Sequence, residues 1–107
     1  MITEITAELW RKLNNTPELT EEIVRSEVEN VVSDLKMKRN YVVTSMTESE
    51  IEKDVRNYRS VVRNVAEYRI VKFGAEGEQS HTENGISRYY QNEDDLWKGV
   101  HAYVKVF

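Results

Sequence analysis

Three groups of side chains in this chain are of types that could do chemistry. Glu76, Glu78, His81 and Glu83 crowd one short stretch, and carboxylate oxygens with an imidazole are a donor set that several divalent ions accept. Arg56, Arg59 and Arg63 stand at i, i+3 and i+7, a spacing that aligns guanidinium groups on one helix face, where they could meet DNA phosphates or an acidic partner. The tail from Val100 to Phe107 alternates, with Val100, Ala102, Val104 and Val106 on one side and His101, Tyr103, Lys105 and Phe107 on the other. Such a strand can add to the sheet of another protein, with Trp97, Tyr103 and Phe107 as its large anchors.

The first group does not survive inspection as a metal site. Glu78 and His81 fall on opposite faces of an extended chain, so a polar surface ribbon is the simpler reading, and no metal or cofactor is expected. Catalysis has no support either. No nucleophile–base motif, glycine-rich phosphate loop or HExxH pattern occurs, and His81 and His101 stand in polar or tail segments. Glu93, Asp94 and Asp95 read as the acidic start of a helical turn. For the arginines, Glu52–Arg56 and Arg63–Glu67 are i,i+4 pairs that suit a solvated face. Arg59 and Arg63 repel one another at the same spacing, which favours an anion from outside.

Composition sets the bounds. A chain of 107 residues is one domain with a thin core. With 15 basic and 19 acidic residues, a net charge of -4, it is not composed like a dedicated nucleic-acid binder. Cysteine is absent, which removes disulfides, thiolate catalysis and cysteine-based zinc sites and is compatible with a reducing cytoplasm. The N-terminus has no secretory pattern, and no apolar run reaches membrane-spanning length.

The elements that must position these groups are mainly helical. Within residues 1–15, Ile5, Leu9 and Leu13 recur every fourth residue and predict a helix from about Thr3 to Leu13. Over 16–40, Thr16 as N-cap and Pro17 in the first turn open a helix whose stripe is Val24, Val28, Val31 and Leu35, with Asn40 as its C-cap. Over 47–73, Thr47-Glu48-Ser49-Glu50 forms a capping box for one long helix carrying Ile51, Val55, Tyr58, Val62, Val65 and Arg69. At about 1.5 Å per residue this rod would run about 39 Å, and with the second helix it would form an antiparallel pair. Gly74 at C′ would end it. Asn84-Gly85 then predicts a small β-hairpin within 74–91, too polar to stand alone. Over 92–107, one helical turn through Leu96 and Trp97 precedes the extended tail.

From about Leu19 onward the chain resembles the head–tail connector (adaptor or head-completion) proteins of long-tailed double-stranded-DNA phages. Arg69, Gly74, Glu76, Gly77, Ser80, Gly85, Ser87, Arg88 and Tyr89 carry the resemblance, which is densest from Val65 to Tyr90. It implies a structural, non-enzymatic subunit of the virion neck, assembled in the host cytoplasm. Such subunits form a ring of twelve copies under the portal protein that extends the DNA channel, makes transient contact with packaged DNA and docks the next neck, stopper or tail-completion protein, with no membrane involved. Carried over, Trp97, Val100, Tyr103, Val104, Val106 and Phe107 would meet the portal. The hairpin residues Glu76, Gly77, Ser80, Asn84, Gly85, Ser87, Arg88 and Tyr89 would meet adjacent subunits or the neck protein. The chain departs from the family pattern at Ala102, where a proline is expected before Tyr103. The competing reading is a small helical nucleic-acid-binding or regulatory protein that uses Arg56, Arg59 and Arg63.

Overall fold

In the computed structural model, residues 1–77 and 92–104 are described, without the side chains of 73–77. They form four α-helices: α1 (Ile2–Leu13), α2 (Glu21–Arg39), α3 (Glu48–Arg56) and α4 (Arg59–Gly77). A 3-10 turn at Tyr41–Val43 follows α2, and a 3-10 helix at Glu93–Trp97 precedes the tail. No strand occurs among the described residues.

Helix α2 is central and packs against both α1 and α4. Val24, Val28, Val31 and Leu35 are fully buried, and they meet Ile5 and Leu9 of α1 and Val62 and Val65 of α4. The four-three rhythm of these positions is the reason: it places one apolar stripe per helix on a common seam. Ion pairs join Arg39 to Asp54 early in the α3–α4 run, and Asp34 and Glu27 to Arg69 late in it. Pairings in reverse order along two segments mean antiparallel packing.

Three expected boundaries move. The helix expected from Pro17 begins instead at Glu21, with the Thr20 hydroxyl accepting from Ile23 N at 3.2 Å. Glu18 takes a left-handed φ of 64°, which turns the chain after Pro17 and prevents a helix from running through it.

The single rod expected over 47–73 is two helices, broken at Asn57–Tyr58. Thr47 and Glu50 form the expected capping box, but at the far end of α3 the bonding tightens to residues three back, Asn57 N to Asp54 O at 3.1 Å and Tyr58 N to Val55 O at 2.9 Å. Tyr58 then lies over the Arg39 guanidinium, 5.0 Å from ring centroid to Arg39 Cζ. Gly74, expected to stop the last helix at Phe73, lies inside α4. Glycine terminates a helix by taking positive φ, and no described glycine does so.

As far as residue 104, the described part of the tail does not form the expected alternating strand. Val100 and Tyr103 are half-buried, whereas Val104 is 76% exposed. The hairpin expected over Glu78 to Tyr90 lies outside the described residues.

Thr6 is an imperfection with a measurable consequence. It is 3% exposed and its hydroxyl has no partner. An unsatisfied buried hydroxyl costs roughly 1–3 kcal/mol. Thr6→Val keeps the branched shape without that group, and should therefore stabilise the fold by about 1 kcal/mol, raising the melting midpoint by about 4–8 °C in a thermal scan by circular dichroism.

Candidate partner-binding surface

The root of the tail is built from the end of α2. Asn40 takes the left-handed conformation, φ 59° and ψ 50°, and its N–H returns to the Lys36 and Met37 carbonyls. Asparagine is the residue other than glycine that most readily closes a helix this way. The turn leaves the Arg39 carbonyl and the Asn40 amide free to face outward. Tyr103 N donates to Arg39 O at 2.9 Å, and Asn40 Nδ2 donates to Tyr103 O at 3.3 Å. One residue of the tail is thus held by both of its backbone polar groups.

The Arg39 side chain completes the anchor. It is 9% exposed, so it must be paired to be tolerated. Nε and Nη2 donate to the two carboxylate oxygens of Asp54 at 2.8 and 3.0 Å, and Nη1 donates to the His101 carbonyl at 2.6 Å. The first two bonds are the bidentate fork that suits a planar guanidinium. The Tyr103 ring stacks on the same group at 4.2 Å and lies 6.0 Å from the Tyr41 ring. Tyr41 Oη donates to Asp54 Oδ2 at 2.5 Å, and Tyr103 Oη makes a long contact of 3.5 Å with Oδ1. Burial pushes the Asp54 carboxyl up, but the donors from Arg39 and Tyr41 outweigh it and hold it below the ordinary range. Burial and the adjacent carboxylate push the Tyr41 phenol up, so it stays a protonated donor.

The residues expected to contact a partner divide accordingly. Tyr103 faces its own domain at this anchor. Trp97 is 6% exposed, with its Nε1 donating to Glu93 Oε2 at 3.0 Å and Lys38 Nζ 4.9 Å over its ring. Trp97 is therefore a core residue of this chain rather than a surface anchor. Val100 packs against the core from the edge, and Val104 projects into solvent. Val106 and Phe107 lie outside the described residues, as do Ser80, Asn84, Gly85, Ser87, Arg88 and Tyr89. Glu76 and Gly77 form the last turn of α4.

The arginine stripe is dispersed. Arg56 ends α3 while Arg59 opens α4, so the break at Asn57–Tyr58 separates them. Arg59 Nη2 and Arg63 Nε both bond the Glu8 carboxylate of α1, at 3.1 and 2.6 Å. The anion that relieves their repulsion is thus internal. Arg63, with its hydrogen bond the larger influence, and Arg59 hold the Glu8 carboxyl below its ordinary range. Arg63 also lies 3.3 Å from Glu67, which is 1% exposed and has Lys12 Nζ 2.5 Å from Oε1. That last contact compensates charge without the angle of a directed hydrogen bond.

A second clamp ties the turn before the tail to the helices. Arg69 bonds Glu93 through Nε and Nη2 at 2.6 and 2.8 Å, bonds Asp34 at 2.8 Å, and has Glu27 at 3.6 Å. Arg69 holds the Glu93 carboxyl below its ordinary range against the opposing effect of burial.

The residues that sequence reasoning missed are Arg39, Asp54, Tyr41 and Glu8. Arg39 carried a signal of a different kind, since a basic residue at a helix C-terminus already has a role with the dipole. Among the described residues no group of three or more histidines, cysteines or acidic residues is placed to hold a metal, and no helix is long and apolar enough to cross a membrane. No family model, no curated protein and no solved structure matches this chain.

Proposed function

We propose that this protein is a structural ring subunit of a phage neck, which binds the portal protein through its C-terminal tail. The resemblance over Val65 to Tyr90 motivates the reading. The observation that carries it is the anchored tail: a backbone pinned at Tyr103 by Arg39 and Asn40 that then projects outward at Val104. A segment fixed at its root is suited to adding to a partner's sheet, because the anchored residues have already lost the ordering entropy that docking would otherwise cost. The finer architecture belongs to this reading too, with a hairpin meeting the neighbouring copy or the next neck protein. Repeated round a closed ring, many weak tail contacts give firm attachment. The nucleic-acid alternative is weakened, since Arg59 and Arg63 are both occupied by Glu8.

Native mass spectrometry with and without portal protein tests the proposal. Ring-sized species or portal complexes are expected. A persistent monomer that ignores the portal and binds DNA with a steep salt dependence would refute it. Removal of residues 104–107 should leave the helical circular dichroism unchanged and weaken portal attachment at least about tenfold, since it deletes exposed Val104 and the residues after it while sparing the anchor. Unaltered attachment would rule out the tail as the docking element.

A further inference from the structure

Arg56, separated from the other two arginines, points to a site of its own. It lines a groove of about 290 Å³ bounded by α1, α2 and α3. Ile2, Val32 and Val55 contribute apolar surface, and Lys36, Arg56 and Glu52 contribute charged groups. Each helix supplies this combination through its period: Val32 and Lys36 lie four apart on α2, and Glu52, Val55 and Arg56 share one face of α3.

Two of the cations that line the groove are unpaired. Arg39, Arg59, Arg63 and Arg69 each have a carboxylate within ion-pair distance. Among the described residues, Lys36 and Arg56 have none, a condition they share with Arg11, Arg25 and Lys53, but these two line one groove together. Both are exposed, and they lie together in a chain whose net charge is -4. Two unneutralised cations beside an apolar floor, within an acidic molecule, form a complement waiting for a particular ligand chemistry.

We propose that this groove binds an acidic segment of another protein, with one apolar side chain on the Ile2–Val32–Val55 floor and a carboxylate held between Lys36 and Arg56. The groove's volume of about 290 Å³ lies at the lower end of small-molecule sites, which run from about 300 to 1,000 Å³, and suits one or two side chains. The floor decides against a bare anion or a sugar–phosphate backbone, neither of which would use it. Glu52 on the same rim opposes a continuous polyanion and tolerates a discrete carboxylate. The site is separate from the tail and does not depend on the ring reading.

Methyl-resolved NMR with a labelled pentapeptide of alternating aspartate and leucine provides the test, with fluorescence anisotropy giving the affinity. Shifts should be confined to the methyls of Ile2, Val32 and Val55 and absent at Val62 and Val65. Lys36→Gln and Arg56→Gln should each weaken binding about threefold to fivefold, and the pair together about tenfold or more, with the effect fading in high salt. Glu52→Gln should tighten it about twofold. All three side chains are exposed, so the variants should fold as the parent does, which circular dichroism verifies. The same peptide with asparagine for aspartate should bind no better than the double variant. The proposal is overturned by shifts elsewhere, by no binding up to about 5 mM, or by unchanged affinity in the double variant. Preferential binding of inorganic phosphate or duplex DNA through the same two cations overturns it as well.

Discussion

Asp54→Ala should cost this protein about 3–5 kcal/mol, a large share of the roughly 5–15 kcal/mol that holds a domain folded. The reason lies in what is left behind. Arg39 would keep its positive charge at 9% exposure with only the His101 carbonyl as a directed acceptor, and Tyr41 Oη would lose its own. An uncompensated buried charge is far more damaging than the loss of a surface pair. Asp54→Asn, which retains one acceptor oxygen, should cost less. A double variant, Arg39→Met with Asp54→Leu, should recover part of the loss by removing both charges. Urea unfolding checks the series, and a loss below about 1 kcal/mol in Asp54→Ala would show that water reaches Arg39.

The same pair sets an acid limb. The Asp54 carboxyl titrates below its ordinary value of 3.8 in the fold, so the unfolded chain takes up its proton first as pH falls. Its contribution is complete above about pH 5 and drains as pH falls through the ordinary value towards the folded one. Asp54→Ala should flatten that limb. Because Arg39 also grips the His101 carbonyl, and its own backbone carbonyl accepts from Tyr103 N, the Tyr103 amide should exchange faster in the variant.

What the sequence disclosed and what it hid follow one physical division. Val24, Val28, Val31 and Leu35 were readable as a buried stripe because period alone places them, and the Thr47 capping box and the Asn40 cap were readable because their partners lie within four residues. The Asn57–Tyr58 break was not, since neither residue is a helix breaker. It exists beside Arg39, whose pairing with Asp54 and stacking on Tyr58 are tertiary contacts. The arginine stripe failed for the same reason. Spacing shows that Arg59 and Arg63 want an anion, but only the packing of α1 on α4 reveals that Glu8 is that anion. Arg56 then acquires Lys36 as its neighbour across a groove that no linear pattern displays.

Arg69→Ala should destabilise by about 2–3 kcal/mol at pH 7, and its signature is a reversal of the pH dependence. In the parent, Arg69 holds Glu93 below its ordinary value of 4.5 despite burial, so that contribution persists above about pH 5 and is lost on acidification. Without the guanidinium, Glu27, Asp34 and Glu93 face a common space, and Lys38, which acts on Glu93 as a lesser influence than Arg69, is not ion-paired to any of the three. Like charges raise carboxyl pKa values in the fold. A group whose folded pKa exceeds its unfolded one contributes most below it, so the variant should gain stability as pH falls from 7 towards 5 while the parent stays flat. Added salt should help the variant for the same reason. Arg69→Lys should lie between, keeping the charge but losing the fork to Glu93. Urea midpoints at pH 7 and pH 5 decide the matter, and a gap between parent and variant that does not narrow would mean the three carboxylates do not sense one another. The clamp also has a geometric consequence. Arg69 stands on the last long helix and Glu93 opens the turn that leads through Trp97 to the anchored tail, so the pair fixes where the tail begins. If the chain is the portal-binding neck subunit proposed above, Arg69→Ala should therefore weaken portal attachment although no residue of the tail itself has changed, whereas Thr6→Val, which acts on stability alone, should leave attachment as it is.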